Sequence, residues 1–72
     1  MTTHEANIDR AGDMIADAAE GKLAGDAGWA AWTMIVGWTD LCPRDVSAAD
    51  WANCQRQYRV LSGQLREILS NQ

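Results

Sequence analysis

Five carboxylates, Glu5, Asp9, Asp13, Asp17 and Glu20, follow one another at spacings of four, four, four and three. On a helix such spacings place side chains on one face, and like charges four apart destabilise an isolated helix by about 0.2–0.5 kcal/mol per pair. Three chemistries use carboxylates in number: cation binding, proton transfer and recognition of a basic surface. A Mg²⁺ or Ca²⁺ site needs oxygens that converge on a point, whereas a row along one helix diverges unless a second helix supplies ligands. No Glu-x-x-His pair occurs. The row reads either as a solvated face, helped by acids near a helix N-terminus where the dipole favours them, or as a docking surface for a basic protein partner, where charge complementarity gives encounter rate and specificity.

The other reactive side chains are few. His4 is the only histidine and lies where a first helix begins, so it reads as a surface side chain. Cys42 and Cys54 are twelve positions apart with no Cys-x-x-Cys pairing, which does not describe a structural zinc site. Cys54 reads as a small core side chain, and Cys42, just before Pro43, as the thiol better placed to react or pair. Gly21, Gly25 and Gly28 match no phosphate-binding loop and serve as turn residues. No catalytic residue, metal or cofactor is implied.

Three helices position these groups. Thr2 with Glu5 makes a capping box, so the first helix starts at Thr2 or Thr3 and runs about 17 residues, with Ile8, Ala11, Ile15, Ala18 and Ala19 on its apolar face. Gly21 and Gly25 close it. Asp26 suits the cap of a second helix of about 13 residues that Pro43 ends. Ser47 and Asp50 make a second capping box, with Val46 and Trp51 as a hydrophobic staple. Behind them Trp51, Cys54, Tyr58, Leu61, Leu65 and Ile68 form a heptad seam on a helix of about 22 residues, and Ser70-Asn71-Gln72 is left as a short mobile tail. The expected architecture is all-α, a compact three-helix bundle, as one domain over residues 1–72.

Four tryptophans stand in 72 residues without a phenylalanine, and three of them (Trp29, Trp32, Trp38) lie on the second helix. That helix is apolar nearly all round and must be covered on more than one face. Trp29, Trp32 and Val36 project to one side; Met34, Ile35 and Trp38, with Leu41 beyond, offer a second surface for a partner or another copy. Met34 and Trp38 join the five carboxylates as expected partner-binding residues.

Ten acids against six bases give net −4, distributed as −6 over residues 1–50 and +2 over residues 51–72. An acidic chain lacks the footprint for general binding to nucleic acid or anionic membranes. Arg56, Arg59 and Arg66 lie away from the seam of the third helix, but three arginines after a long connector make a poor DNA reader. The N-terminal residues show no secretory pattern, and the uncharged run from Ala27 to Thr39 falls short of the roughly 20 apolar residues a membrane span needs. A cytoplasmic protein with free thiols is expected. At this size a deep catalytic cleft is hard to build, so a non-enzymatic binding protein is favoured.

The acidic first helix, the apolar middle segment ending in Leu41-Cys42, and the acid-flanked stretch Asp45-Val46-Ser47-Ala48-Ala49-Asp50-Trp51 together resemble the small acidic helical anti-CRISPR proteins of phages and mobile elements, in particular inhibitors of type I systems. The resemblance implies a protein of the bacterial host cytosol that docks on a subunit of the CRISPR effector complex or on its nuclease and blocks DNA targeting. Asp9, Asp13, Asp17 and Glu20 would then stand in for phosphates. The basic last helix departs from an all-acidic mimic and shifts weight to the apolar second helix. The alternative is a homodimeric structural or regulatory adaptor in which the acidic first helix of one copy faces the basic third helix of the other.

Overall fold

The computed structural model describes residues 2–72, which form α1 (Thr3–Ala19), α2 (Gly25–Trp38) and α3 (Ala48–Ser70) in an all-α three-helix bundle about 37 × 19 × 15 Å. Both expected helix starts are present, each through the hydroxyl half of its box. The Thr2 hydroxyl accepts the Glu5 N–H at 3.1 Å, and the Ser47 hydroxyl accepts the Asp50 N–H at 3.3 Å while itself donating to Asp50 Oδ2 at 3.0 Å. Each removes one of the four orphan donors of a helix start.

The α1 C-terminus closes as a Schellman motif. Gly21 takes φ +79°, Lys22 N–H reaches Asp17 O at 2.8 Å and Gly21 N–H reaches Ala18 O at 3.1 Å. Ala24 then caps α2 without a side-chain bond, and Asp26, expected as the cap, sits one position beyond the first helical residue. Gly25 at φ +59° lets the chain turn into the helix two residues earlier than a capping Asp26 would, and the carboxylate still lies in the first turn, where the dipole favours it. Nor does α2 extend to Pro43: it stops at Trp38, where the Thr39 hydroxyl donates to Val36 O at 2.7 Å and the Gln55 amide of α3 donates to Thr39 O at 2.8 Å.

Helix α3 is the spine, packing against α1 and α2, which scarcely touch each other. The cross-helix bonds fix directions: His4 and Asn7 of α1 meet Tyr58 of α3, and Ala18 near the other end meets Gln72, so α1 and α3 run parallel. Thr39 at the end of α2 meets Gln55, whereas Gly28 at its beginning lies against Leu69, so α2 runs antiparallel to both. Small residues mark the close approaches. Ala11 and Ala18 of α1 and Gly28 and Ala31 of α2 are buried, which lets Tyr58, Leu65 and Leu69 fill the centre.

Because α3 is covered from two sides, its buried stripe is broader than the expected seam. Cys54, Tyr58 and Leu65 are buried as expected, Trp51, Leu61 and Ile68 are half-buried, and Ser62 and Leu69 join the interior. Ser62 is tolerated there because its hydroxyl donates to Arg59 O at 3.0 Å. Ala19 is exposed although Ala18 beside it is buried, since one residue's rotation of about 100° carries it off the face that Ala11 and Ala18 share. The C-terminal tail is docked: Gln72 Nε2 donates to Leu23 O at 3.0 Å and to Ala18 O at 3.3 Å, tying it to the α1–α2 turn.

A second remote bond closes the opposite end. Asp45, in the α2–α3 connector, accepts both the Thr3 N–H at 2.7 Å and the Thr3 hydroxyl at 3.1 Å through Oδ2. The Thr3 backbone N–H is the main reason its carboxyl titrates below the usual carboxylate range; desolvation opposes it, and the Thr3 hydroxyl adds to the lowering. A lowered folded-state pKa contributes stability above the unfolded value, lost as pH falls through the folded one. Stability should therefore fall below about pH 4, and Asp45→Asn should flatten that acid limb; urea titrations across the range, read by tryptophan fluorescence, check it.

Candidate functional site

Glu5, Asp9, Asp13 and Asp17 stand on the solvent side of α1, and Glu20 at its C-cap; all five are exposed. Glu20 pairs with Lys22 at 2.9 Å in an exposed contact of little energetic weight. Among the described residues Asp9, Asp13 and Asp17 make no ion pair, and neither do Arg10, Arg44, Arg56, Arg59 and Arg66. The expected acidic face is thus an exposed strip along α1, unpaired at Asp9, Asp13 and Asp17 among the described residues and paired at its Glu20 end.

The apolar surface of α2 is arranged differently from expectation. Met34 is 39% exposed and Leu41 68%, so both are presented to solvent. Ile35 is 0% exposed and is withdrawn from the surface that was to include it. Trp38 is half-buried with its ring 5.7 Å from that of Tyr58, leaving only an edge for a partner. Trp29, assigned to the inward side, is 38% exposed and meets Trp32 edge-on at 5.7 Å. On a helix apolar all round, periodicity does not select the inward face. Gly28, Ala31 and Ile35, spaced three and four apart and all buried, were the available signal, because small residues let α2 approach α3 closely.

His4 is the functional group that sequence reasoning missed. It is half-buried, with Nε2 2.8 Å from Gln57 Oε1 and Nδ1 3.0 Å from the Tyr58 hydroxyl. Gln57 Oε1 can only accept, so Nε2 donates to it, and Nδ1 is hydrogen-bonded to the Tyr58 hydroxyl, to which Asn7 Nδ2 also donates at 3.3 Å. Both ring nitrogens are spent on holding α1 to α3. Burial pushes the Tyr58 hydroxyl pKa up, with the Asn7 donation partly opposing. Burial also pushes up the Cys54 thiol, helped by the nearby Asp50 charge, so Cys54 is the protonated core side chain the seam implied. Cys42 is an exposed free thiol whose Sγ lies 3.6 Å from Pro43 O.

Surface recesses lie at the α1–α3 side of the bundle. One of about 290 Å³ lies where α1, the connector and α3 begin, lined by Glu5, Asp45 and Asp50 together with His4. Two more, about 370 and 430 Å³, adjoin along the α1–α3 boundary, sharing Ile8 and Gln57. Among the described residues no group of three or more His, Cys, Asp or Glu side chains is placed to hold a metal ion, and no helix is long and apolar enough to cross a membrane. What fold and surface define together is an all-α bundle with an acidic strip on one helix and partly exposed apolar side chains on another. Comparison with protein-family models, with curated proteins and with solved structures finds no match.

Proposed function

We propose that the chain is a non-enzymatic protein-binding inhibitor that docks on a basic surface through Asp9, Asp13 and Asp17, flanked by Glu5 and Glu20, with Met34 and the exposed edge of Trp38 as apolar contacts. The observation that carries this reading is that the carboxylate row is fully exposed and that Asp9, Asp13 and Asp17 have no cationic partner among the described residues. The self-repulsion of such a row is relieved when a cationic partner covers it. The resemblance to small acidic anti-CRISPR proteins supplies the target: a subunit of a type I CRISPR effector complex, or its nuclease, whose lysines and arginines otherwise hold nucleic acid. A phage or mobile element would encode such a protein, and it would act in the cytosol of the bacterial host.

The test is binding of a purified type I effector complex by wild-type chain and by the double variant Asp9→Lys, Asp13→Lys. Both positions are exposed on a helix interior that lysine suits, so the circular dichroism should stay helical. Affinity should fall by roughly 100-fold or more, with wild-type binding itself weakening as salt is raised. Unchanged affinity in the double variant sinks the acidic-docking reading.

A further inference from the structure

The α1–α3 boundary carries an exposed apolar site that neither the acidic row nor α2 accounts for. Its groove is lined by Ile8 of α1 and by Arg56, Gln57, Val60 and Leu61 of α3, with Val60 60% exposed. Gln55 and Leu69, which touch α2, lie on the other side of Tyr58 around the α3 axis, so the groove opens away from α2.

The groove's two rims are oppositely charged. Glu5 and Asp9 border it on α1, and Arg56 borders it on α3. Arg56 pairs with neither; its Nη2 donates to Asn53 Oδ1 at 2.6 Å instead. The cross-helix bonds set the register between the rims, since His4 meets Gln57 at a separation of 53 positions and Asn7 meets Tyr58 at 51. Glu5 is therefore level with Arg56 and Gln57, and Ile8 is level with Val60.

The two helices are parallel, so a two-fold axis running along the groove keeps every level and exchanges the rims. It lays α1 of each copy on α3 of the other, acid opposite base at one level and Ile8 opposite Val60 one turn further on, and each contact occurs twice. An isologous interface requires this reciprocity, which an unrelated partner would meet only by accident. We propose that the groove is the docking site for a second copy of this chain, with Val60 of each copy seated on Ile8 of the other and Arg56 of each beside Glu5 of the other. Asp13, Asp17 and Glu20 face away from the contact.

Sedimentation equilibrium of the chain alone, from about 1 µM to about 1 mM, tests it without any effector present and so separates it from the docking reading. Wild type should dimerise within that range. Val60→Asp and Arg56→Glu should each raise the dissociation constant at least tenfold with helical content unchanged, because both positions are exposed, and Glu5→Arg added to Arg56→Glu should recover most of what the single change lost. A monomer throughout, a dimer indifferent to Val60→Asp, or a double variant no tighter than Arg56→Glu alone overturns the proposal.

Discussion

Tyr58→Ala should leave the chain largely unfolded at 37 °C, whereas Tyr58→Phe should fold with a modest loss. Tyr58 is 0% exposed and is the largest fully buried side chain. Its ring is the piece that all three helices share: it belongs to α3, lies 5.7 Å from the Trp38 ring of α2, and meets the His4 ring of α1 edge-on at 5.2 Å. Truncating a buried aromatic to alanine costs about 3–5 kcal/mol. A chain of this size has in total about 4–11 kcal/mol to lose. The phenylalanine variant keeps the ring and loses only the hydroxyl, so the Asn7 amide and His4 Nδ1 must find other partners. Both residues are half-buried and within reach of water, which holds that loss to about 1–2 kcal/mol. Urea titrations followed by tryptophan fluorescence and far-ultraviolet circular dichroism separate the two. Equal losses in the two variants would show that the hydroxyl network, and not ring packing, dominates at this position.

The contrast between these two variants also marks what a single sequence can reveal. The starts of α1 and α3 were legible because each is set within four residues, by Thr2 with Glu5 and by Ser47 with Asp50. Cys54, Tyr58 and Leu65 were legible because a seam at spacings of three and four states its own direction. His4, Asp45 and Gln72 were not, because their partners lie 42 to 54 positions away and nothing local announces them. A histidine at a helix start looks solvent-facing until the parallel packing of α1 on α3 brings Tyr58 and Gln57 to it. The acidic row was legible in full, since exposure is what a run of carboxylates dictates. The groove at Ile8 and Val60 was not, because Val60, beside Arg59 and off the seam, is only a single exposed apolar side chain until the register of α1 on α3 is known.

On α2 the sequence was most ambiguous, and the structure makes adjacent residues there behave oppositely. Ile35→Ala should destabilise the fold by about 2–4 kcal/mol, through lost transfer energy and the cavity left between α2 and α3. Met34→Ala should change stability by no more than about 0.5 kcal/mol. The two positions differ by 100° around the helix, which carries Ile35 to 0% exposure and Met34 to 39%. Ile35 follows Gly28 and Ala31 on the side that approaches α3, and a Cβ added at Gly28 would overlap the Leu69 side chain. The same geometry predicts the reverse order in binding: Met34→Ala should weaken a partner that uses the outer face of α2, and Ile35→Ala should act only through the fraction of chain that is folded. Chemical denaturation and partner titration on the same two proteins give both rankings. A stability loss at Met34 matching that at Ile35 would mean that α2 is rolled about its axis to carry Met34 and Trp38 inward, with Trp29 and Trp32 on the surface.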